Sequence, residues 1–135
     1  LVKLFVQEEG SSTVADLLPG STSISTSRIS YVECRSAFAR ARREGRLDAR
    51  GESVAVRSLD ARWNKLQVVE IEEGLTHRAG KLTSDHSLRA ADAIHLASAE
   101  VLVEELNREV VFACWDVRLW EAARTLGFGL APRDW

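Results

Sequence analysis

The sequence predicts an α/β domain, with a parallel sheet covered by helices on both faces. Three observations predict it. Strand-length runs of β-branched residues alternate with segments of helical period. The run Glu109–Trp115 is apolar along most of its length, as a central parallel strand would be. The stretch Leu88–Glu100 (Leu-Arg-Ala-Ala-Asp-Ala-Ile-His-Leu-Ala-Ser-Ala-Glu) is apolar around most of a helix and needs cover on several sides. At 135 residues the chain fits one domain, residues 1–135, with a real core.

Taken in order, Leu1–Glu8 has helical spacing through Leu1, Leu4 and Phe5, and Glu9-Gly10-Ser11-Ser12 breaks it. Thr13–Leu18 reads as a short helix ended by Pro19-Gly20, and Ser21–Thr26 as a short strand centred on Ile24. Ser27–Gly45 is a clear helix, with Cys34, Ala37, Phe38 and Ala41 as its apolar stripe and Gly45 as its stop. Glu52–Leu66 is a helix carrying Val54, Leu59, Trp63 and Leu66; Gln67–Ile71 alternates as a strand does. Glu72–Leu82 is a helix, Thr83–Ser87 a polar loop, and Leu88 opens the apolar helix. After Glu109–Trp115, Val117–Leu126 forms a helix stopped by Gly127, and Phe128–Leu130 a short edge strand before Pro132. No internal repeat or domain linker stands out.

Composition excludes several classes. With 45% hydrophobic and 28% charged residues the chain reads as an ordinary soluble protein. No apolar run approaches a membrane span and no signal-peptide pattern opens it, so a cytoplasmic location is expected. Cys34 and Cys114 lack metal-site spacing and read as small core residues in a reducing compartment. The net charge of −2 argues against a basic coat, yet Arg35–Lys65 holds nine basic residues and only four acids. Such a segment suits either a phosphate backbone or a solvated helix face. The chain has no methionine and opens on Leu1, so its true N-terminus is expected upstream.

Three acids stand out. Asp92 shares a helical stripe with Leu88, Leu96, Ala99, Val103 and Leu106. A buried, ionised Asp needs a cation, hydrogen bonds or a raised pKa, so it is either a metal ligand or bonded to a nearby N–H or Arg. Glu33 lies at the edge of its helix's stripe. If that helix starts at Ser30, Ser30-Tyr31-Val32-Glu33 is a capping box; a start near Ser27 frees Glu33 to reach a metal. Asp116 ends the apolar strand, on the carboxyl edge where ligands gather in parallel sheets, and is also a good N-cap for the following helix. Hard oxygen ligands of this kind suit Mg²⁺ or Mn²⁺, and a metal pair can drive phosphodiester hydrolysis. His95, three residues after Asp92, reads as a core histidine before it reads as a ligand. His77 and His86 belong to no constellation.

These segments resemble the PIN-domain family, in particular the VapC-type toxin ribonucleases of bacterial toxin–antitoxin pairs. Leu88–Ala99 is the most specific match and carries the family's third acid, Asp92. Thr26-Ser27 with Glu33 resembles the second-acid motif, and Trp115-Asp116-Val117-Arg118-Leu119 with Ala122-Ala123 and Gly127 the fourth-acid segment. Leu1–Ser11 is similar to the family's first helix. By that likeness the first strand and its acid would lie before Leu1. The resemblance implies a three-layer α/β fold and a divalent-metal-dependent endoribonuclease with Glu33, Asp92 and Asp116 as catalytic metal ligands. It further implies an RNA substrate, a cognate antitoxin that inhibits it and a homodimer, and it places a Ser27 hydroxyl near the acids. Leu4, Phe5, Leu17 and Leu18 are the candidate exposed surface for antitoxin or dimer.

Two other functions compete. A receiver-like phosphoacceptor also has an acidic pocket at a sheet edge, but it needs a late lysine, and Lys3, Lys65 and Lys81 all precede the Leu88 helix. A catalytically inactive PIN fold would only bind RNA or protein. Metal-dependent RNA cleavage separates it from the enzyme.

Overall fold

The computed structural model describes residues 1–107 and 109–134 and divides into two compact units, Leu1–Val68 and Val69–Trp135. Each has its own core.

The first unit opens with a 3-10 turn, Val2–Leu4, where helical spacing predicts a longer helix. Helix α1 spans Ser11–Leu17 and passes into a second 3-10 turn, Leu18–Gly20, which carries Pro19. Strand β1 (Ser25–Ser27) pairs with β2 (Gln67–Val69), and the Gln67 amide donates to the Ile24 carbonyl at 2.9 Å. Between them lie α2 (Ser30–Arg43) and α3 (Ala49–Trp63). Helix α2 stops where predicted. Gly45 adopts φ 73°, and the amides of Arg46 and Gly45 close back on the Ala41 and Arg42 carbonyls at 2.8 and 3.1 Å. Asp48 starts α3 by accepting the Gly51 amide at 2.6 Å. The core joins Val6, Cys34, Phe38, Ala55 and Leu59, with Phe5 edge-on to Phe38 at 5.9 Å. Val54 was expected in that core but is 46% exposed, and Ala55 takes its place. One residue of helix rotation decides which side chain faces inward.

The second unit holds α4 (Glu73–His86), α5 (Ala90–Leu106), β3 (Val111–Ala113), α6 (Val117–Thr125) and β4 (Gly129–Ala131). Thr83–Ser87, predicted as a loop, is helical through His86; Ser87 then ends α4 in the left-handed region at φ 53°. The buried residues of α5 are Ala93, Leu96, Ala97, Ser98, Ala99 and Leu102, spread round the helix as its apolar sequence requires, while Val103 is exposed. The Ser98 hydroxyl is satisfied within the helix by the Ile94 carbonyl at 2.7 Å. Strands β3 and β4 pair in parallel, Val111 opposite Gly129 and Ala113 opposite Ala131. The β3 strand is shorter than the apolar run predicts, and Val111 is 59% exposed. Trp120 ties the chain after β4 to α6 by donating to the Pro132 carbonyl at 2.9 Å. Short strand pairs flanked by helices are the α/β architecture that the sequence predicts. Among the described residues no helix is long and apolar enough to cross a membrane.

A partly exposed ion cluster joins α4 to α5. Arg78 clasps Glu104 with both terminal guanidinium nitrogens, at 2.7 and 2.9 Å, and lies 3.8 Å from Glu100. The hydrogen bond from Arg78 holds Glu104 below the usual glutamate pKa, whereas partial burial pushes Glu100 above it. Glu104 therefore stabilises the fold above its unfolded pKa, and that contribution disappears as pH falls through its lower folded value. Glu100 does the reverse and opposes folding at neutral pH. Glu100→Gln is expected to raise the melting temperature at pH 7 and Glu104→Gln to lower it. Both differences should fade in melts at about pH 4, near the carboxylate pKa values.

Candidate functional site

Asp92 stands in the first turn of α5, where the unpaired amides of the helix start favour negative charge. It is half-buried, beside Ala93 with no exposed surface. Asp116 is the N-cap of α6. Its Oδ1 accepts the amides of Arg118 and Leu119 at 3.0 and 3.1 Å, so its backbone sits in the extended region at φ −105° and ψ 123°. Both cap bonds fall on Oδ1, and Oδ2 takes no part in them. Cys114 follows β3, two residues before Asp116. Its buried thiol is pushed up to about 11 by burial first, with the negative charges of Asp116 and Asp92 adding to the rise.

Glu33 belongs to the first unit, in the first turn of α2, and is half-buried. The capping box does not form. Ile29 is the N-cap, Ser30 is already the first helical residue, and its hydroxyl lies 2.6 Å from that of Thr26. The Glu33 amide instead donates to the Ile29 carbonyl at 3.1 Å. The negative charge of Glu33 adds to the burial that pushes the Cys34 thiol up to about 11. Ser27 ends β1 with 2% exposure, and its Oγ has no hydrogen-bond partner among the described residues. A buried orphan hydroxyl costs roughly 1–3 kcal/mol. His95 is half-buried one turn beyond Asp92, and His86 closes α4.

Among the described residues no group of three or more His, Cys, Asp or Glu side chains is arranged to hold a metal ion. The second unit offers two carboxylates, and Mg²⁺ is commonly held by one or two carboxylates with waters and substrate phosphates. The donor chemistry of Asp92 and Asp116 fits such an ion. Sequence reading did not single out the buried Cys114 beside Asp116; the available signal was its position two residues earlier, just after β3.

The surface expected from Leu4, Phe5, Leu17 and Leu18 is only half-exposed, because Phe5 is spent on Phe38. The large apolar residues that are exposed include Val32, Val54, Val103 and Val111.

The cap makes a separable prediction. Asp116→Ala should cost about 1 kcal/mol in urea unfolding, whereas Asp116→Asn, itself a good N-cap, should cost little. Equal losses in the two variants would show that the cap contributes nothing.

Asp92 and Asp116 thus stand at two helix starts, Asp116 directly after the parallel β3–β4 pair. A PIN-domain model matches residues 1–114, and the chain belongs to the PIN-domain family. Among curated relatives it is similar to Ribonuclease VapC45 and Ribonuclease VapC49 of Mycobacterium tuberculosis, from strains CDC 1551 and H37Rv respectively. Each is 37% identical over 131 residues, covering 97% of this chain and 89% of the relative.

Proposed function

We propose that the protein is a VapC-type toxin: a divalent-metal-dependent endoribonuclease that cuts RNA phosphodiester bonds and is restrained by a cognate antitoxin. One observation supports this most. The PIN-family chain is related along almost its whole length to two proteins named as ribonucleases, and it carries Asp92 and Asp116 at the starts of α5 and α6. Asp92 and Asp116 are the proposed ligands of Mg²⁺ or Mn²⁺, and Glu33 is the third acid of the set. Once bound, the metal would supply an activated water and charge stabilisation at the phosphate.

The protein's own contribution is orientation. The Asp116 rotamer is fixed through Oδ1 by two amides, so Oδ2 keeps a constant direction without further ordering. Asp92 is carried by a helix whose Ala93 and Leu96 are fully buried, and the helix start offsets part of the cost of carrying its charge there. Crowded anions of this kind attract an arginine that pairs bidentately, which suits inhibition by a cationic antitoxin segment. A homodimer and a cytoplasmic location complete the proposal.

The test is incubation of the purified protein with a pool of structured RNAs in Mg²⁺, Mn²⁺ or EDTA. Cleavage in the metal arms alone is the expected result. Intact RNA in every arm overturns the enzymatic reading in favour of an inactive PIN fold.

A further inference from the structure

The basic segment of the first unit has no role in the acid site. Leu1–Val68 carries eleven Lys and Arg against eight Asp and Glu, while Val69–Trp135 carries seven against twelve. The four acids between Arg35 and Lys65 are all engaged locally. Glu44 pairs with Arg46 at 2.7 Å and Glu52 with Arg42 at 2.9 Å. Asp48 caps α3, and Asp60 accepts the Tyr31 hydroxyl at 2.8 Å. Arg35 lies over the Tyr31 ring. Exposed Arg40, Arg43, Arg50, Arg57 and Lys65 remain, with no ion pair among the described residues, and Lys65 lies past the far end of α3, after Trp63.

Their placement is informative. Arg40 and Arg43 end α2, and Arg50 is the second residue of α3, so the short turn between the helices gathers them at one end of the hairpin. Arg40 and Arg43 suit a helix C-terminus, but Arg50 sits at a helix start, where positive charge opposes the macrodipole. The fold gains nothing from it there. Arg50 also lines a cavity of about 500 Å³ with Leu4, Phe5, Leu47, Val54 and Asp48, whose Oδ1 is engaged by the Gly51 amide. Apolar side chains and a guanidinium along one wall can meet a nucleotide's base and its phosphate.

We infer that Arg40, Arg43, Arg50 and Arg57 form a track for the phosphodiester backbone of RNA. The inference rests on the ribonuclease reading for the identity of the polyanion, and its test does not depend on cleavage. Binding of a labelled structured RNA is measured in EDTA, across a salt series, on the full chain carrying Asp92→Asn. In that background, replacing the four arginines with Gln should weaken binding about tenfold or more and flatten the salt slope by about 0.7–0.9 per lost phosphate contact. Gln at Lys81, Arg124 and Arg133 is the control and should change neither. Arg50→Gln alone should weaken binding while raising the melting temperature, a split that a structural arginine would not give. Unchanged affinity and slope in the quadruple variant overturn the inference, as does RNA binding that ignores salt. Normal RNA binding with lost binding to polyglutamate also overturns it, and assigns the face to an acidic protein. Wild-type cleavage in Mg²⁺ is assayed in parallel. A flattened slope in a protein that cuts no RNA upholds the track and overturns the ribonuclease reading; intact cleavage with an unchanged slope does the opposite.

Discussion

Asp92→Asn is expected to abolish RNA cleavage and leave the fold intact. The substitution nearly preserves shape, so the half-buried site on α5 keeps its packing while losing one of the two negative charges near Cys114. In metal-free buffer the variant should melt no lower than the wild type, because like charges held together oppose folding. Metal reverses the order. A ligand at about ten times its dissociation constant stabilises the native state by roughly 1.4 kcal/mol. For a chain of this size that is a rise of roughly 3–6 °C, which the Asn variant should mostly lack. Thermal melts of both proteins in EDTA and in Mn²⁺ check this. Equal metal shifts in the two, or retained cleavage by the variant, would remove Asp92 from the active site. A purely structural Asp predicts lower stability in both buffers and an unchanged response to metal.

Phe38→Ala should produce the largest loss of stability, about 3–5 kcal/mol. Phe38 has no exposed surface, and the cluster around it contains few other buried side chains, Val6, Cys34, Ala55 and Leu59. The edge-on contact with Phe5, at an interplanar angle of 78°, disappears with the ring. Against a total stability of roughly 5–15 kcal/mol, such a loss brings the chain close to unfolding. Urea titration of the Ala and Leu variants checks the origin of the effect. A Leu variant close to wild type would confirm that filled volume carries it, and an Ala variant losing under about 1 kcal/mol would mean that the cavity collapses freely.

The sequence was most legible where two signals coincided. Cys34, Phe38 and Ala41 recur at helical period before a glycine, and α2 ends on that glycine with its backbone in the left-handed region. Asp116 follows an apolar run and precedes an amphipathic one, so both the strand end and the cap were visible. The misses share a cause. Thr83–Ser87 reads as a loop from its polar side chains, but solvated polar residues continue a helix readily, and the end falls at Ser87 without a glycine to mark it. Ser30 and Glu33 fit a capping box by type and spacing. Pairing of the Ser30 hydroxyl with Thr26, a local bond that no helical pattern encodes, accompanies a cap one residue earlier. For the acids, helical stripes singled out Asp92 and Glu33, and the end of an apolar run singled out Asp116. Whether they share one site depends on packing between elements, which one sequence leaves unspecified.

The alanines of α5 carry one more consequence. Ala93 and Ala97 have no exposed surface, and they lie one residue after Asp92 and one helical turn further on. A larger side chain at either position has no free volume to enter, and overpacking of this kind costs typically 1–3 kcal/mol and shifts backbone. The position of the carboxylate is therefore set by the smallness of its neighbours. In a deep mutational scan these two positions would accept Gly or Ser and little else, although neither has any polar atom to contribute. Such a profile looks like that of a reacting residue, and only its chemistry, a methyl group against a methyl group, reveals that what is being kept there is a distance.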